Sequence, residues 1–556
     1  ATVRRWFGAP AGFIAGAAMA LTPVAVLMFR FNNPDAMMTL LVVLAAYAVT
    51  RALDAASTRW LLLAGFAIGF SFLVKGLQPF TVVPALMLVY LVAAPTRLRT
   101  RLLQLLAAGA AIVAGAGWWV LAVSLTPVSS RPYIGGSGNN SALGLAFGYN
   151  GLGRITGNES TNGTGGGGGG GGGANFTGRT GLGRLFNSEN GGQISWLIPA
   201  ALIAIAALVV VSRRAPRTDR TRAAAILWGG WLLVTAAVLS YAGGIIHSYY
   251  DVELAPAIAA LVAIGTVVMW RHRTETAARA VLAAGVVVTG LWSYSLLHRS
   301  ANWHPVISYV VVVAAIAAAV ALLLPAGTSR RVAIAGGLAA TVAIAGGSTA
   351  YAIDTAATPH TGSVPSAGPA VAGGSGFGGG PGRGTRTGGF PGQPGGANQG
   401  RPGRFAGQGS LPGPIGPGAA PGNVEGGLSG TVPGGGGGGT GGGTQTVNTA
   451  LTQLLKDTTT TWAAATIGSQ SAAPLELASG KAIIAIGGFS GSDPAPTLIQ
   501  FEKLVAEGSV RYFIGGGSGG GPGGQGSSDI SSWVAAHFTA TTVGNSTVYD
   551  LQKATA

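Results

Sequence analysis

Eleven long apolar stretches fill the first 352 residues, and the short arginine-bearing connections between them fall on alternate sides. The stretches run at roughly 9–30, 36–54, 58–75, 80–95, 101–125, 195–213, 222–243, 252–270, 277–298, 305–325 and 331–352. A bilayer core of ~30 Å is crossed by about 20 mostly apolar residues in a helix. Lipid offers backbone groups no water, so each stretch must close its own hydrogen bonds as a helix. The chain is therefore expected to be a polytopic α-helical membrane protein. Composition agrees: 9% of residues are charged, against roughly 25% in soluble domains, and the mean hydropathy is +0.46. At 556 residues the chain is long enough for more than one domain.

The formal charge of +16 invites comparison with nucleic-acid binders, but the arginines sit in short loops beside spans. Topology explains them, and no nucleic-acid partner is expected. Arg4, Arg5, Arg51, Arg59, Arg97, Arg99, Arg101, Arg213, Arg214, Arg217, Arg220, Arg222, Arg271, Arg273, Arg279, Arg330 and Arg331 mark one set of connections as cytoplasmic. The opposite connections hold few cations: Arg30, Lys75, Arg299 and four arginines within the long external loop 126–194. An odd number of spans then leaves the tail outside the cell. No cysteine is present, which excludes a disulfide framework and a thiolate metal site. The first residue is Ala1, and a span follows at once; the expectation is a chain that lacks its true N-terminus rather than one with a cleaved signal peptide.

Beyond the spans, residues 353–446 form a Gly/Pro/Ser/Thr linker with too few large apolar groups to fold. Residues 447–556 regain Trp, Phe, Leu and Val. Strand-like runs at Trp462–Ile467, Ala482–Ile486, Val510–Ile514 and Thr547–Leu551 alternate with helical patterns near 448–457, 496–507 and 529–537. That rhythm predicts a small extracytoplasmic α/β domain.

Four places on the charge-poor side could carry chemistry. In Arg30-Phe31-Asn32-Asn33-Pro34-Asp35, Pro34 disfavours helix at Asn33, and Asn32 or Asp35 can cap the following helix. Asp35 can equally serve as a functional carboxylate at the membrane boundary. In Phe72-Leu73-Val74-Lys75-Gly76-Leu77-Gln78-Pro79, a lone lysine ends a helix, where the macrodipole favours a cation and a lipid phosphate would meet a compact ammonium. In His247-Ser248-Tyr249-Tyr250-Asp251-Val252-Glu253, the tyrosines could be interface anchors, while His247, Asp251 and Glu253 could bind metal, phosphate or sugar; Asp251 could also cap a helix. The loop 126–194 carries Arg131-Pro132-Tyr133 and Phe147-Gly148-Tyr149-Asn150. It also holds an echo, Gly151-Leu152-Gly153-Arg154 and Gly181-Leu182-Gly183-Arg184, around a nine-glycine run. Such a run reads as a flexible insert between ordered flanks. In the tail, Ile486-Gly487-Gly488-Phe489-Ser490-Gly491-Ser492-Asp493-Pro494 reads either as an anion cradle or as a tight strand–helix turn capped by Asp493.

The segments FRFNNPDAMMTLL, FLVKGLQPF and HSYYDVELAPAIAAL together resemble the family 39-type glycosyltransferases of the GT-C fold. That group includes protein O-mannosyltransferases and bacterial lipid A aminoarabinose transferases. The loop RPYIGGS…FGYNGLGRITG and the tail AIIAIGGFSGSDPAPTLIQF resemble actinobacterial, mannosyltransferase-like members more narrowly. The resemblance implies a transferase of the bacterial plasma membrane that moves a sugar from a polyprenyl-phosphate donor to a cell-envelope acceptor, on the outer face. It implies that the principal catalytic carboxylate lies in a first external loop preceding Ala1, together with two further spans. It implies that Asp35 is the family's second acidic position and Lys75 its phosphate-contacting lysine. His247, Tyr249 and Tyr250 would line the donor pocket with Asn32, Tyr149 and Asn150, and Arg30 and Arg131 would be further phosphate contacts. A divalent metal is a candidate cofactor, with Asp35, His247 and Glu253 as its ligands. Asp35, Lys75 and His247 should then share one pocket.

Two other classes make different demands. A transporter or flippase would show inverted repeats and midplane charges in broken spans. A membrane anchor that presents the tail domain would have no use for acid, lysine and histidine at one membrane face. The charge-poor side, where these groups collect, favours the enzyme.

Overall fold

The structure is a computed structural model that describes residues 1–137, 139–157, 177–300, 302–325, 329–360, 364–371, 448–489, 491–515 and 525–554. Among the described residues, nine helices are long and apolar enough to cross a bilayer: Asp35–Ala55, Thr58–Lys75, Leu98–Leu125, Gly191–Ser212, Arg220–Tyr241, Ser248–Arg271, Thr276–His298, Pro305–Leu323 and Arg330–Ala357. Two shorter apolar helices, Ala9–Ala20 and Gln78–Ala93, occupy the other two expected stretches. The first of these is short for a chemical reason. Pro23 has no N–H to give the preceding turn, so the helix stops at Ala20 and restarts as Pro23–Met28. The chain is a multi-pass membrane protein.

The main apolar core of the bundle holds Trp196, Trp231, Tyr90 and Tyr351 fully buried, and a smaller one forms around Val286, Ala315, Ala318 and Ala343. The span Ser248–Arg271 runs through its centre and is buried along nearly its whole length. Leu98–Leu125 lies at the opposite extreme: Leu102, Leu103, Leu106, Val113, Leu121 and Leu125 are all exposed, as a lipid-facing helix requires. It packs on Thr58–Lys75 through small residues. A Cβ added at Gly65 would strike the Ala108 carbonyl, one at Gly69 the Ile112 carbonyl, and one at Gly115 the Phe66 carbonyl. Without a hydrophobic drive between helices in lipid, such close backbone approach supplies the packing energy.

At the arginine-rich ends of the spans, guanidinium groups meet exposed helix carbonyls. Arg217 donates to Val92 (3.0 Å) and Ala94 (2.7 Å), Arg222 to Ser212 (2.6 Å) and Arg271 to Phe7 (2.9 Å). Each supplies donors to C-terminal carbonyls that the helix leaves unpaired.

The tail domain is a five-stranded sheet: β1 (Trp462–Ile467), β2 (Ile483–Ile486), β3 (Val510–Gly515), β4 (Phe538–Val543) and β5 (Ser546–Ala554), in the order β2-β1-β3-β5-β4. The first three strands are parallel, and β5 and β4 close the sheet antiparallel. Leu451, Leu455, Ala472 and Leu475 cover one face, and Phe501, Ile530 and Val534 the other. Two elements are additional to the sequence expectation, the helix Ser469–Ser479 and the edge strand β4. The helix interior holds Pro474, and four residues of β4 in succession are exposed, so neither carries a strong hydrophobic period.

The turn after β2 binds the membrane part: Asp493 accepts from the Gly136 N–H at 3.0 and 3.1 Å. Asp493 thus joins the turn at Gly136 and does not cap its own helix, where Thr497 and Gln500 form a capping box. Burial raises its carboxyl above the ordinary range, against the Gly136 hydrogen bond that lowers it. Of the expected linker 353–446, residues 353–357 continue the last span. The Ala367 N–H and carbonyl both hydrogen-bond the buried Gln193 amide (2.9 and 3.2 Å), while the stretch from 372 lies outside the described residues.

Candidate active site

Asp35 opens one span and Lys75 closes the next, so a there-and-back crossing returns both to the same membrane face. The Asn33 side chain accepts the Asp35 backbone N–H at 2.9 Å, and this Asx turn starts the helix. Neither Asn32 nor Asp35 caps the helix, whose N-cap is Pro34 with no side-chain cap hydrogen bond. Asn32 is exposed, and the Asp35 side chain turns inward to a stronger partner. That partner is Lys75. The two form an ion pair in which the carboxylate is wholly buried and the lysine 14% exposed, and among the described residues neither has another side-chain hydrogen-bond partner. Gly76, at φ 59, ends the lysine's helix, a conformation open chiefly to glycine.

The lysine also faces an aromatic wall. Its Nζ stands 4.0 Å from the centre of the Tyr250 ring and 5.4 Å from that of Tyr249, within cation–π range. His247 stacks on Tyr249 at 5.2 Å and meets Tyr250 edge-on at 5.4 Å. The structure thus brings Asp35, Lys75, His247, Tyr249 and Tyr250 into one cluster at one face. One helical turn deeper, the buried hydroxyls of Thr39 and Ser71 have no protein partner among the described residues, and their spacing of four from Asp35 and Lys75 puts them on the same helix faces.

Sequence reasoning left Arg154 outside the site, yet it donates to the Tyr250 hydroxyl (2.8 Å) and the Ile245 carbonyl (2.8 Å). The Gly-Leu-Gly-Arg echo was the available signal, because both of its arginines brace the same stretch. Arg184, 2% exposed, donates to the carbonyls of Leu239 (3.0 Å) and Ala242 (2.8 Å), while Gly243 and Gly244 donate to the carbonyls of Ile155 and Arg154. Burial lowers the Arg184 guanidinium below its usual range, and the charge of Asp251 opposes that shift. Asp251 lies buried within the Ser248–Leu254 turn, close enough for its charge to act on Arg184, and does not cap the span. Glu253, fully buried, accepts from Gln78 (3.1 Å) and Thr81 (2.6 Å).

Other expected contacts lie elsewhere. Arg30 donates to the Ala356 carbonyl (2.6 Å), tying down the end of the last span. Arg131 donates to the Val123 carbonyl (2.9 Å) at the end of its own helix. The side chains of Tyr149 and Asn150 lie outside the described residues. As for a metal at Asp35, His247 and Glu253, the first is committed to Lys75 and the third to Gln78 and Thr81. The described residues contain no group of three His, Asp or Glu side chains that could hold an ion. Among the described residues no metal site is formed, and no step is assigned to a metal.

The imidazole of His247 is pushed down to about 3, by burial first and then by the charges of Arg154 and Lys75. It is therefore neutral at any ordinary working pH. Between pH ~6.5 and ~3 the unfolded chain binds a proton there that the native chain refuses, so its contribution to stability is complete above 6.5 and is lost as pH falls. Activity profiles of the wild type and His247→Gln should share the same inflections between pH 5 and 8; an inflection near 6.5 that disappears in the variant would refute this assignment.

The sequence carries two family signatures. Residues 1–119 match the family described as "Dolichyl-phosphate-mannose-protein mannosyltransferase", and residues 451–537 match "Putative mannosyltransferase YkcB-like, C-terminal". The chain is 30% identical to the "Putative mannosyltransferase YkcB" of Bacillus subtilis (strain 168), over 96% of this chain and 77% of that protein. The chain belongs to the YkcB-like mannosyltransferase family. It is also 27% identical to the "Putative mannosyltransferase YycA" of the same organism, over 96% of this chain and 79% of that protein. Among solved structures it is similar to ArnT from Cupriavidus metallidurans bound to undecaprenyl phosphate. There the TM-score is 0.36 at 20% identity, with 63% of this chain and 60% of that chain covered. Membership of this family makes the chain a membrane glycosyltransferase, with the Asp35–Lys75 pair inside the signature at residues 1–119.

Proposed function

We propose that this chain transfers a sugar, mannose being the first choice, from a polyprenyl-phosphate donor to a hydroxyl of an extracytoplasmic acceptor in the cell envelope. The observation that carries the reading is Lys75, a buried ammonium held between a carboxylate and two tyrosine rings at one membrane face. In such a transfer the acceptor oxygen bonds to the anomeric carbon, the bond from that carbon to the phosphate oxygen breaks, and its electron pair leaves on the lipid phosphate. A base takes the acceptor proton. Lys75, with Arg154 close behind Tyr250, supplies positive charge where the departing phosphate gains negative charge. As the phosphate draws the ammonium away, Asp35 is released to accept a hydrogen bond from a sugar or acceptor hydroxyl and so orient it. The tyrosine rings give the sugar an apolar face to lie against.

Orientation follows from charge: connections rich in arginine stay in the cytoplasm, which puts Asp35, Lys75 and His247 at the outer face, with the tail domain beside them. The natural absence of cysteine makes this directly testable, since Asn32→Cys should react with a membrane-impermeant thiol reagent in intact cells. Labelling only after lysis would reverse the topology. For the activity, the full chain in nanodiscs should move radiolabelled mannose from polyprenyl-phosphate mannose to envelope material. Lipid scrambling across liposomes without sugar transfer would replace the enzyme with a flippase.

A further inference from the structure

We infer that Glu253 is a positioning residue, one that acts on the lipid phosphate only through Lys75. The inference rests on the transfer reading above. Glu253 belongs to the same Ser248–Leu254 turn as Tyr249 and Tyr250, and its carboxylate accepts from Gln78 and Thr81 in the turn that follows Lys75. Thr81 in turn accepts from Thr235 (3.1 Å), and the Glu253 backbone carbonyl accepts from the indole of the fully buried Trp231 (3.0 Å). One side chain therefore ties the segment bearing the ammonium to the segment bearing the rings. Only Gly76 and Leu77 separate Lys75 from Gln78, and Gly76 at φ 59 would let the lysine swing if its next anchor were loose.

A carboxylate suits this task. Its two oxygens serve two donors at once. Glu253 is fully buried and both oxygens are already occupied, so its route to a ligand runs through the backbone it holds.

The test measures retention of undecaprenyl phosphate by the purified full chain, together with acetylation of Lys75 by acetic anhydride. Lys75 is the sole lysine before Lys456, so its peptide is unambiguous by mass spectrometry. Glu253→Ala should weaken retention about tenfold, the size expected for one or two buried hydrogen bonds, and should speed Lys75 acetylation. Glu253→Gln, which still offers an acceptor to Thr81, should recover most of both. In a Lys75→Met background Glu253→Ala should change retention by less than about twofold, because residues acting through one another are not additive. Thr81→Val, a milder cut that removes one of the two bonds, should move both readouts the same way by a smaller factor. Equal losses with and without Lys75, or wild-type retention and acetylation in Glu253→Ala and Thr81→Val, overturn the inference. A wild type that retains the lipid phosphate but moves no sugar would defeat the transfer reading and leave the positioning result readable.

Discussion

Lys75→Ala is expected to abolish sugar transfer and to destabilise the protein at once. Breaking a buried ion pair by removing one partner costs about 3–5 kcal/mol, because the other charge stays behind uncompensated, and Asp35 is wholly buried. Loss of a group that neutralises the leaving phosphate lowers the rate by roughly 10²–10³. The two effects can be separated. In the double variant Asp35→Asn/Lys75→Met no charge is stranded, so folding, followed by thermal unfolding of the purified chain, should return close to wild type. Transfer should stay lost. A double variant that both folds and transfers would show that the pair is structural only.

Arg184→Met should produce a structural failure with no catalytic part. Arg184 holds the carbonyls of Leu239 and Ala242, and its guanidinium feels the charge of the buried Asp251. Its removal leaves those buried carbonyls without their donor at a cost of about 1–3 kcal/mol each, enough to shrink the monodisperse peak in size-exclusion chromatography. Arg184→Lys should rescue only part, since one ammonium could replace Nη1 at Leu239 and Ala242 but not the contacts of Nε and Nη2 with the Arg179 and Gly178 carbonyls. Adding Asp251→Asn to Arg184→Met should restore part of the peak by removing the Asp251 charge. No gain from the second change would mean that the carbonyl contacts alone carry the role.

The spans were legible because lipid makes hydrophobic length nearly sufficient: each of the eleven apolar stretches corresponds to an apolar helix. Where a helix falls short of its stretch, proline is the cause, as at Pro23 and in the turn Gln78–Val82. In the tail domain the buried strands announced themselves through Val, Ile and Phe, while β4, a threonine-rich edge strand with four exposed residues in succession, offered no period to read. Asp35, Lys75 and the histidine–tyrosine segment were legible as site candidates because topology alone gives no reason for a lysine or a carboxylate on the charge-poor side. Arg154 and Arg184 were harder. Each sits in a loop otherwise made of glycine and small polar residues, and its partners are mostly backbone carbonyls far along the chain, which no spacing rule encodes. Glu253 was read as a candidate ligand because a sequence shows the acid but not Gln78 and Thr81, which occupy it.

The glycine contacts between Thr58–Lys75 and Leu98–Leu125 have a mechanical corollary. With backbone against backbone at Gly65, Gly69 and Gly115, the two rods cannot separate or slide without opening a gap that lipid would have to fill. A thinner or thicker bilayer is therefore met by tilting the pair as one body. Lys75 rides at the tip of that lever, so acyl-chain length alone should shift the depth at which the ammonium waits for its substrate.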